Sequence, residues 1–394
     1  MPREWLQPRR WLSYSPRMRG PAAPDPVSDT LQITEIPVEG YERVVRGVDP
    51  QSGLHAIIAV HDTTLGPALG GLRMWNYASE QEALFDVERL AKGMSYKSAV
   101  ARTGLGGGKA VIIGDAKAIK SEELYLGMGR LVDSLDGLYT TAEDVNTTIE
   151  DLEIVRRATK HVSGLAREAG GSGNPSPYTA YGVYLGVRAA LGWAFGSDDP
   201  AGKKIAIQGV GAVGGPLAER LAEAGAEVYA YDRDHKRLEQ LAADHGVKVV
   251  GEAEIMTMAC DLFAPCALGG VLNDETIPAL NTKVVAGAAN NVLLKPEHGE
   301  MLADRDILYA PDYVINAGGI VNVSVEFHDG GYDEKVALRK IERIPQASRS
   351  CGPSPRKRTC RRASPPTGSP SGSWPKARPA AARPSQRPRS VAAR

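Results

Sequence analysis

Residues 204–232 read KIAIQGVGAVGGPLAERLAEAGAEVYAYD. Lys204–Gln208 is a short β-type run, and Gly209-Val-Gly211-Ala-Val-Gly214 follows it at once. A helical stretch then runs to Ala224. A second strand, Glu227–Tyr231, ends at Asp232. A bare G-x-G-x-x-G is weak evidence, but between a strand and a helix it is the turn that binds a dinucleotide. Gly209 permits the tight turn, Gly211 lets backbone approach a pyrophosphate, and Gly214 lets helix and strand pack closely. Val213 lies inside the turn, and the unpaired N–H groups of the following helix face the phosphates. The Asp232 carboxylate is placed to accept from the adenosine ribose hydroxyls. Its charge repels a 2′-phosphate, which favours NAD over NADP, although Arg233 follows directly. The competing reading is an ordinary glycine turn with a surface aspartate.

Working outward, further strands are expected at 262–264, 284–286, 307–310 and 314–315. Strand alternating with helix implies a parallel, doubly wound sheet. Upstream, strands are expected at 53–61, 110–113 and 138–141. Helices are expected at 79–93, with Ser79 and Glu82 as a capping box, at 121–135 and at 178–193. The expected fold is therefore α/β with two domains: a substrate-binding and dimerisation domain over 27–173, and a Rossmann domain over 174–344. Residues 1–26 read as a disordered leader and 345–394 as a disordered, basic Pro/Arg-rich tail. Such segments have too little apolar surface to offset their ordering entropy.

The chain has 394 residues and a formal net charge of zero. Bulk charge thus suggests neither nucleic acid nor membrane as a partner. The zero hides an asymmetry, because no acidic residue follows Glu342. Its four cysteines form no C-x-x-C pair and have no His cluster beside them. They read as reduced thiols of a cytoplasmic protein, with no metal site.

Three clusters upstream carry candidate chemistry: GPALGGLR over 66–73, KGMSYK over 92–97 and GLGGGK over 104–109. Lys109 reads as a lysine on a glycine turn, followed by the apolar strand AVII. Burial disfavours an ammonium, so its pKa falls toward the range of a general base. TTAEDVN, over 140–146, puts Glu143 and Asp144 just after a strand, where α/β sites usually lie. Alone, each cluster is more often a surface turn.

In this order the clusters resemble the leucine/phenylalanine/valine dehydrogenases of the glutamate dehydrogenase superfamily, from about Leu54 to about Arg343. The matching stretches are GPALGGLRMW, AKGMSYKSA, GGGKAVIIGD, TAEDVNTT, TAYGVY, APCALGG, AGAANN and LYAPDYVINAGGI. The resemblance implies reversible, NAD-dependent oxidative deamination of an L-amino acid to a 2-oxo acid and ammonia. It implies a homo-oligomer assembled through the first domain. It assigns Lys97 to the substrate carboxylate, and Lys109 and Asp144 to catalysis. Asn291 would hold substrate beside the cofactor, Gly70 and Gly71 would line the pocket, and Thr179 would contact the nicotinamide side. Glutamate enzymes carry a lysine where this chain has Leu69, and often a serine where it has Val323. With Ala142 and Ile320 these make an apolar lining in which a carboxylate would be buried unpaired. A branched-chain substrate is expected, with L-leucine favoured and valine or phenylalanine as alternatives.

The resemblance stops in mid-helix near Ile344. Wrong-frame reading of a GC-rich gene yields Arg, Pro, Ala and Ser text of the kind that follows, so a frameshift is one explanation of the tail. A genuine basic segment that binds an acidic partner is the other. Two functions stand open on the sequence: an active dehydrogenase, and an NAD-binding chain left silent by the loss of its closing helices.

Overall fold

A computed structural model of the chain describes residues 30–346. The leader and the tail from residue 347 onward lie outside the described residues. Among the described residues, twelve strands form two six-stranded sheets. In the first, β1 (Gln32–Glu35), β2 (Arg43–Asp49), β3 (Leu54–Asp62), β4 (Ala68–Trp75), β5 (Gly106–Ile113) and β6 (Tyr139–Glu143) run in the order β1-β2-β3-β5-β4-β6. The sheet is mixed: β4 pairs in parallel with β5 and β6, while β3 pairs antiparallel with β2 and β5.

Both faces of this sheet are covered, which is why β3 reads as a nearly continuous apolar run. Ile57 and Ala59 meet Val87 and Ala91 of α1 (Glu80–Ala101). Ala56, Ile58 and Val60 point the other way, toward Leu124, Met128 and Leu131 of α2 (Glu122–Asp133). Ser79 caps α1 by accepting from Glu82 N at 3.1 Å, but the Glu82 carboxylate reaches Ala78 N rather than closing the box on Ser79.

A long helix, α3 (Ser176–Phe195), leads into the second sheet. Its strands are β7 (Lys204–Gln208), β8 (Glu227–Tyr231), β9 (Lys248–Val249), β10 (Leu262–Pro265), β11 (Val284–Val285) and β12 (Leu308–Tyr309). They lie in the order β12-β11-β10-β7-β8-β9, all parallel. Read outward from β7, this is the doubly wound order in which ligands bind beyond the strands' carboxyl ends. Ile205 and Ile207 pack with Val183, Val187 and the helix α4 (Gly214–Glu223), whereas Ala206 faces the opposite core with Phe263 and Ile277.

The expected strand at 314–315 is instead part of a short helix, Asp312–Ile315. Local β propensity loses there to tertiary packing: Ile315 joins the core against α3, its methyl 2.5 Å from where a Cβ on Gly186 would lie. KGMSYK is helical, because α1 continues to Ala101. After it come α5 (Gly318–Ser324) and α6 (Glu334–Ile341). They return to the first sheet, where Ile320, Val323, Ile341 and Ile344 share a cluster with Leu69 and Leu105. Among the described residues no helix is long and apolar enough to cross a membrane.

Candidate active site

Gly106, Gly107 and Gly108, just before Lys109, form no turn but lie in β5. Lys109 sits in the middle of β5, opposite Ala59 of β3, and is 4% exposed. The reason lies in non-local packing. A Cβ at Gly107 would lie 2.1 Å from Ser95 N of α1, and one at Gly108 would lie 2.7 Å from the Tyr139 ring. Glycine in a strand marks close approach of other backbone, and here it lets α1 press onto β5. The GPALGGLR cluster is likewise strand β4. A Cβ at Gly70 would lie 1.8 Å from Gly108 O; one at Gly71 would lie 2.7 Å from Asp144 Cβ and 3.2 Å from Lys109 Nζ.

These approaches open onto a cleft of about 1010 Å³ with walls from both sheets. Leu69, Gly70, Gly71, Lys97, Lys109, Ala142, Asp144, Thr179, Val213, Asn291, Ile320 and Val323 all line it. Lys109 Nζ is 2.9 Å from Asp144 Oδ2. Burial holds the Lys109 ammonium below its ordinary range, and Asp144 opposes that shift. Burial alone would raise the Asp144 carboxyl, but Lys109 and Arg73 outweigh it and hold the group well below the usual carboxylate range. Across the cleft, Lys97 Nζ donates to Asn290 Oδ1 at 3.1 Å, tying α1 to the loop after β11. Burial lowers Lys97 to about 8, with Lys109 adding to the shift and Asp312 and Asp144 resisting it.

Several participants escaped the sequence reading. Asn290 meets Lys97, and it also accepts from Asn316 Nδ2 at 2.9 Å. Asn291 lines the same cleft in a left-handed backbone conformation, φ +51°. Asp312 is buried and accepts from Val292 N and Tyr313 N. Arg73 binds Asp144 at 3.0 Å. The GGLR and ANN stretches signalled their presence, but pairing across 71 and 193 residues of sequence is not a local property.

The second glycine cluster does form a turn. Gly209 has φ +97°, which glycine tolerates best. A Cβ on Gly214 would stand 2.0 Å from Gly209 O, so helix and turn are packed to backbone contact. At Gly211, among the described residues and apart from its chain neighbours, such a Cβ would come within 4 Å of Arg237 Nη1 alone, at 3.9 Å. That open side, at the N-terminus of α4 and beyond the end of β7, fits a pyrophosphate. Asp232 Oδ2 accepts from Val210 N at 2.7 Å and Oδ1 from Asp234 N at 2.9 Å, so the carboxylate also anchors the turn. Arg233 points away from it toward Glu252 and is mostly exposed. Thr179 Oγ1 donates to Pro175 O. Asn316 Oδ1 is buried on the cleft without a partner among the described residues.

Residues 42–161 match the family model for the Glu/Leu/Phe/Val dehydrogenase dimerisation domain. Residues 226–336 match the model for glutamate/leucine/phenylalanine/valine dehydrogenase. The chain belongs to the Glu/Leu/Phe/Val dehydrogenase family. Within it, the chain is 52% identical to leucine dehydrogenase of Geobacillus stearothermophilus over 304 residues, which cover 77% of this chain and 82% of that one. It is 48% identical to valine dehydrogenase of Streptomyces virginiae, over 77% of this chain and 86% of that one. The solved L-tryptophan dehydrogenase of Nostoc punctiforme superposes with TM-score 0.66 at 42% identity, over 78% of this chain and 88% of that one. Among the described residues no His, Cys, Asp and Glu cluster could hold a metal.

Proposed function

We propose that the chain catalyses the reversible, NAD-dependent oxidative deamination of a branched-chain L-amino acid, L-leucine favoured, to its 2-oxo acid and ammonia. One observation carries the reading: Lys97, Lys109 and Asp144 line the same cleft as the apolar group Leu69, Ala142, Ile320 and Val323. The family and its leucine- and valine-specific relatives support it.

Lys97, released from Asn290, pairs with the substrate α-carboxylate, whose charge restores the lysine's own. The aliphatic side chain fills the apolar group, recovering about 0.8 kcal/mol per buried CH₂. A glutamate side chain would leave its carboxylate unpaired there. Asp144 takes a proton from the substrate ammonium, freeing the nitrogen lone pair. NAD, when bound, supplies the acceptor for the Cα hydride. Lys109 takes a proton from the water that adds to the resulting iminium carbon, Asp144 returns its proton to the nitrogen, and that nitrogen leaves as ammonia while the new hydroxyl gives its proton to solvent and becomes the 2-oxo oxygen. Gly209, Gly211, Val213 and Gly214 would hold the pyrophosphate, Asp232 the ribose, and Thr179 and Asn291 the nicotinamide end. Residues 27–173 and 174–344 then act as substrate-binding and NAD-binding halves. The dimerisation-domain match over 42–161 favours a homo-oligomer, which light scattering tests.

The test of activity is NADH formation from leucine, valine, isoleucine, phenylalanine and glutamate on one preparation of the full chain. Turnover with the aliphatic substrates and none with glutamate is the expected result. NAD binding without turnover on any of them would instead favour the silent chain.

A further inference from the structure

Arg73 has no part in the steps above, yet it makes two ion pairs at the site. Its Nε lies 3.0 Å from Asp144 Oδ2, the same oxygen that meets Lys109 at 2.9 Å. Its Nη1 lies 3.0 Å from Asp86 Oδ2 on α1, and that oxygen also accepts from Tyr77 OH at 2.8 Å. Arg73 and Asp86 are each 19% exposed at the side chain. A planar guanidinium that joins two carboxylates in a fixed geometry restrains both. We propose that Arg73 is a positioning residue for the reaction: anchored by Asp86, it holds the Asp144 carboxylate against Lys109 and sets the charge of that pair. The proposal rests on the dehydrogenase reading above.

The arrangement has a sign. Burial works against the charge on Arg73, and Asp144 and Asp86 more than restore it, so Arg73 stays a cation. That cation holds Asp144 down and also pushes Lys109 down; Asp86 pulls Lys109 up. The other groups facing the pair are Lys97 and Arg89 on α1, Glu143 and Tyr139 on β6, and Asp312 beyond Lys97. Arg73 and Asp86 act on Lys109 in opposite directions, so neutralising one or the other moves it in opposite directions.

Arg73→Gln and Asp86→Asn, made in the full chain, test this with two readouts. One is the pH profile of kcat/KM for L-leucine. The other is the pH dependence of Lys109 acetylation by acetic anhydride, read by peptide mass spectrometry, which needs no turnover. In Arg73→Gln the acidic limb and the labelling midpoint should both rise by about one pH unit or more, as for loss of an adjacent charge. In Asp86→Asn both should fall, and Arg73→Lys should recover part of the wild-type profile. Movement in the same direction in both variants, or no movement, overturns the proposal; so does a raised KM with unmoved limbs, which would make Arg73 a substrate-carboxylate binder. If Arg73→Gln does not fold, Asp86→Asn and Arg73→Lys decide. Wild-type protein without turnover refutes the dehydrogenase reading, and the labelling midpoints then still decide on Arg73.

Discussion

Gly209, Gly211 and Gly214 sit in one turn between β7 and α4, whereas Gly70, Gly71, Gly107 and Gly108 lie inside two neighbouring strands, β4 and β5. The first set bends the chain and leaves one side open to a ligand. The second set removes side chains so that α1, β4, β5 and β6 can approach until Lys109 and Asp144 meet. The same residue type therefore does local work in one sheet and non-local work in the other. In the turn, Gly211 has room for a Cβ, whereas Gly70, Gly71, Gly107 and Gly108 have none.

The largest expected effect comes from the residue the second set exists to place. Lys109→Ala should lower turnover at least about a thousandfold, within the range ascribed to general acid–base groups, while NAD affinity measured by fluorescence titration stays within about twofold of wild type. Substantial activity in this variant would remove Lys109 from the mechanism. Next, Gly71→Ala puts a methyl 3.2 Å from Lys109 Nζ and should cost about a hundredfold in kcat/KM for the amino acid, as expected for a misplaced reacting group. Its counterpart, Gly211→Ala, meets only Arg237, so its melting temperature should hold. Its KM for NAD should rise about tenfold with the amino-acid KM unmoved, because the methyl occupies the side the pyrophosphate approaches. Equal effects of the two alanines on both substrates would erase the contrast between the sheets.

Two smaller effects sharpen it. Ile320→Ala enlarges the apolar end of the cleft and should cost leucine about tenfold in kcat/KM, while improving phenylalanine relative to leucine. A substrate panel on the variant reads this directly. The last concerns pH. Asp144 is held below the usual carboxylate range by Lys109 and Arg73, against its burial. Its ionic contribution to stability is thus present at neutral pH and is lost as pH falls through its folded-state value. The margin by which the wild type out-melts Asp144→Asn should therefore shrink between about pH 4 and about pH 2. A margin that grows over that interval would contradict the ion pairs assigned to Asp144.

The same contrast explains how much of the molecule was legible beforehand. The run from Lys204 to Tyr231 announces its strand, turn, helix and strand in order, because each depends on neighbours in sequence. Short strands such as Val284–Val285 were found by their apolar character, to within a residue. β4 was not, since ALGGLRMW has the glycines of a loop; its strand state comes from pairing with β5 and β6. Lys109 was found for its chemistry but placed on the wrong element. Val314 and Ile315 carry β-branched side chains, yet their packing against α3 makes them helical. The contact of Lys97 with Asn290 is not legible in sequence, because nothing in ANN says which carboxamide turns toward α1. Arg73 stood inside a quoted stretch, and only the folded chain shows it joined to both Asp144 and Asp86.

The central claim is that both halves work together on one amino acid in the cleft they share. The direct measurement is NADH formation by the purified full chain, with L-leucine and L-glutamate compared at equal concentration and saturating NAD. The account predicts sustained, leucine-dependent NADH formation and none above background with glutamate. NAD binding with no NADH from leucine, or glutamate turned over as fast as leucine, would contradict it.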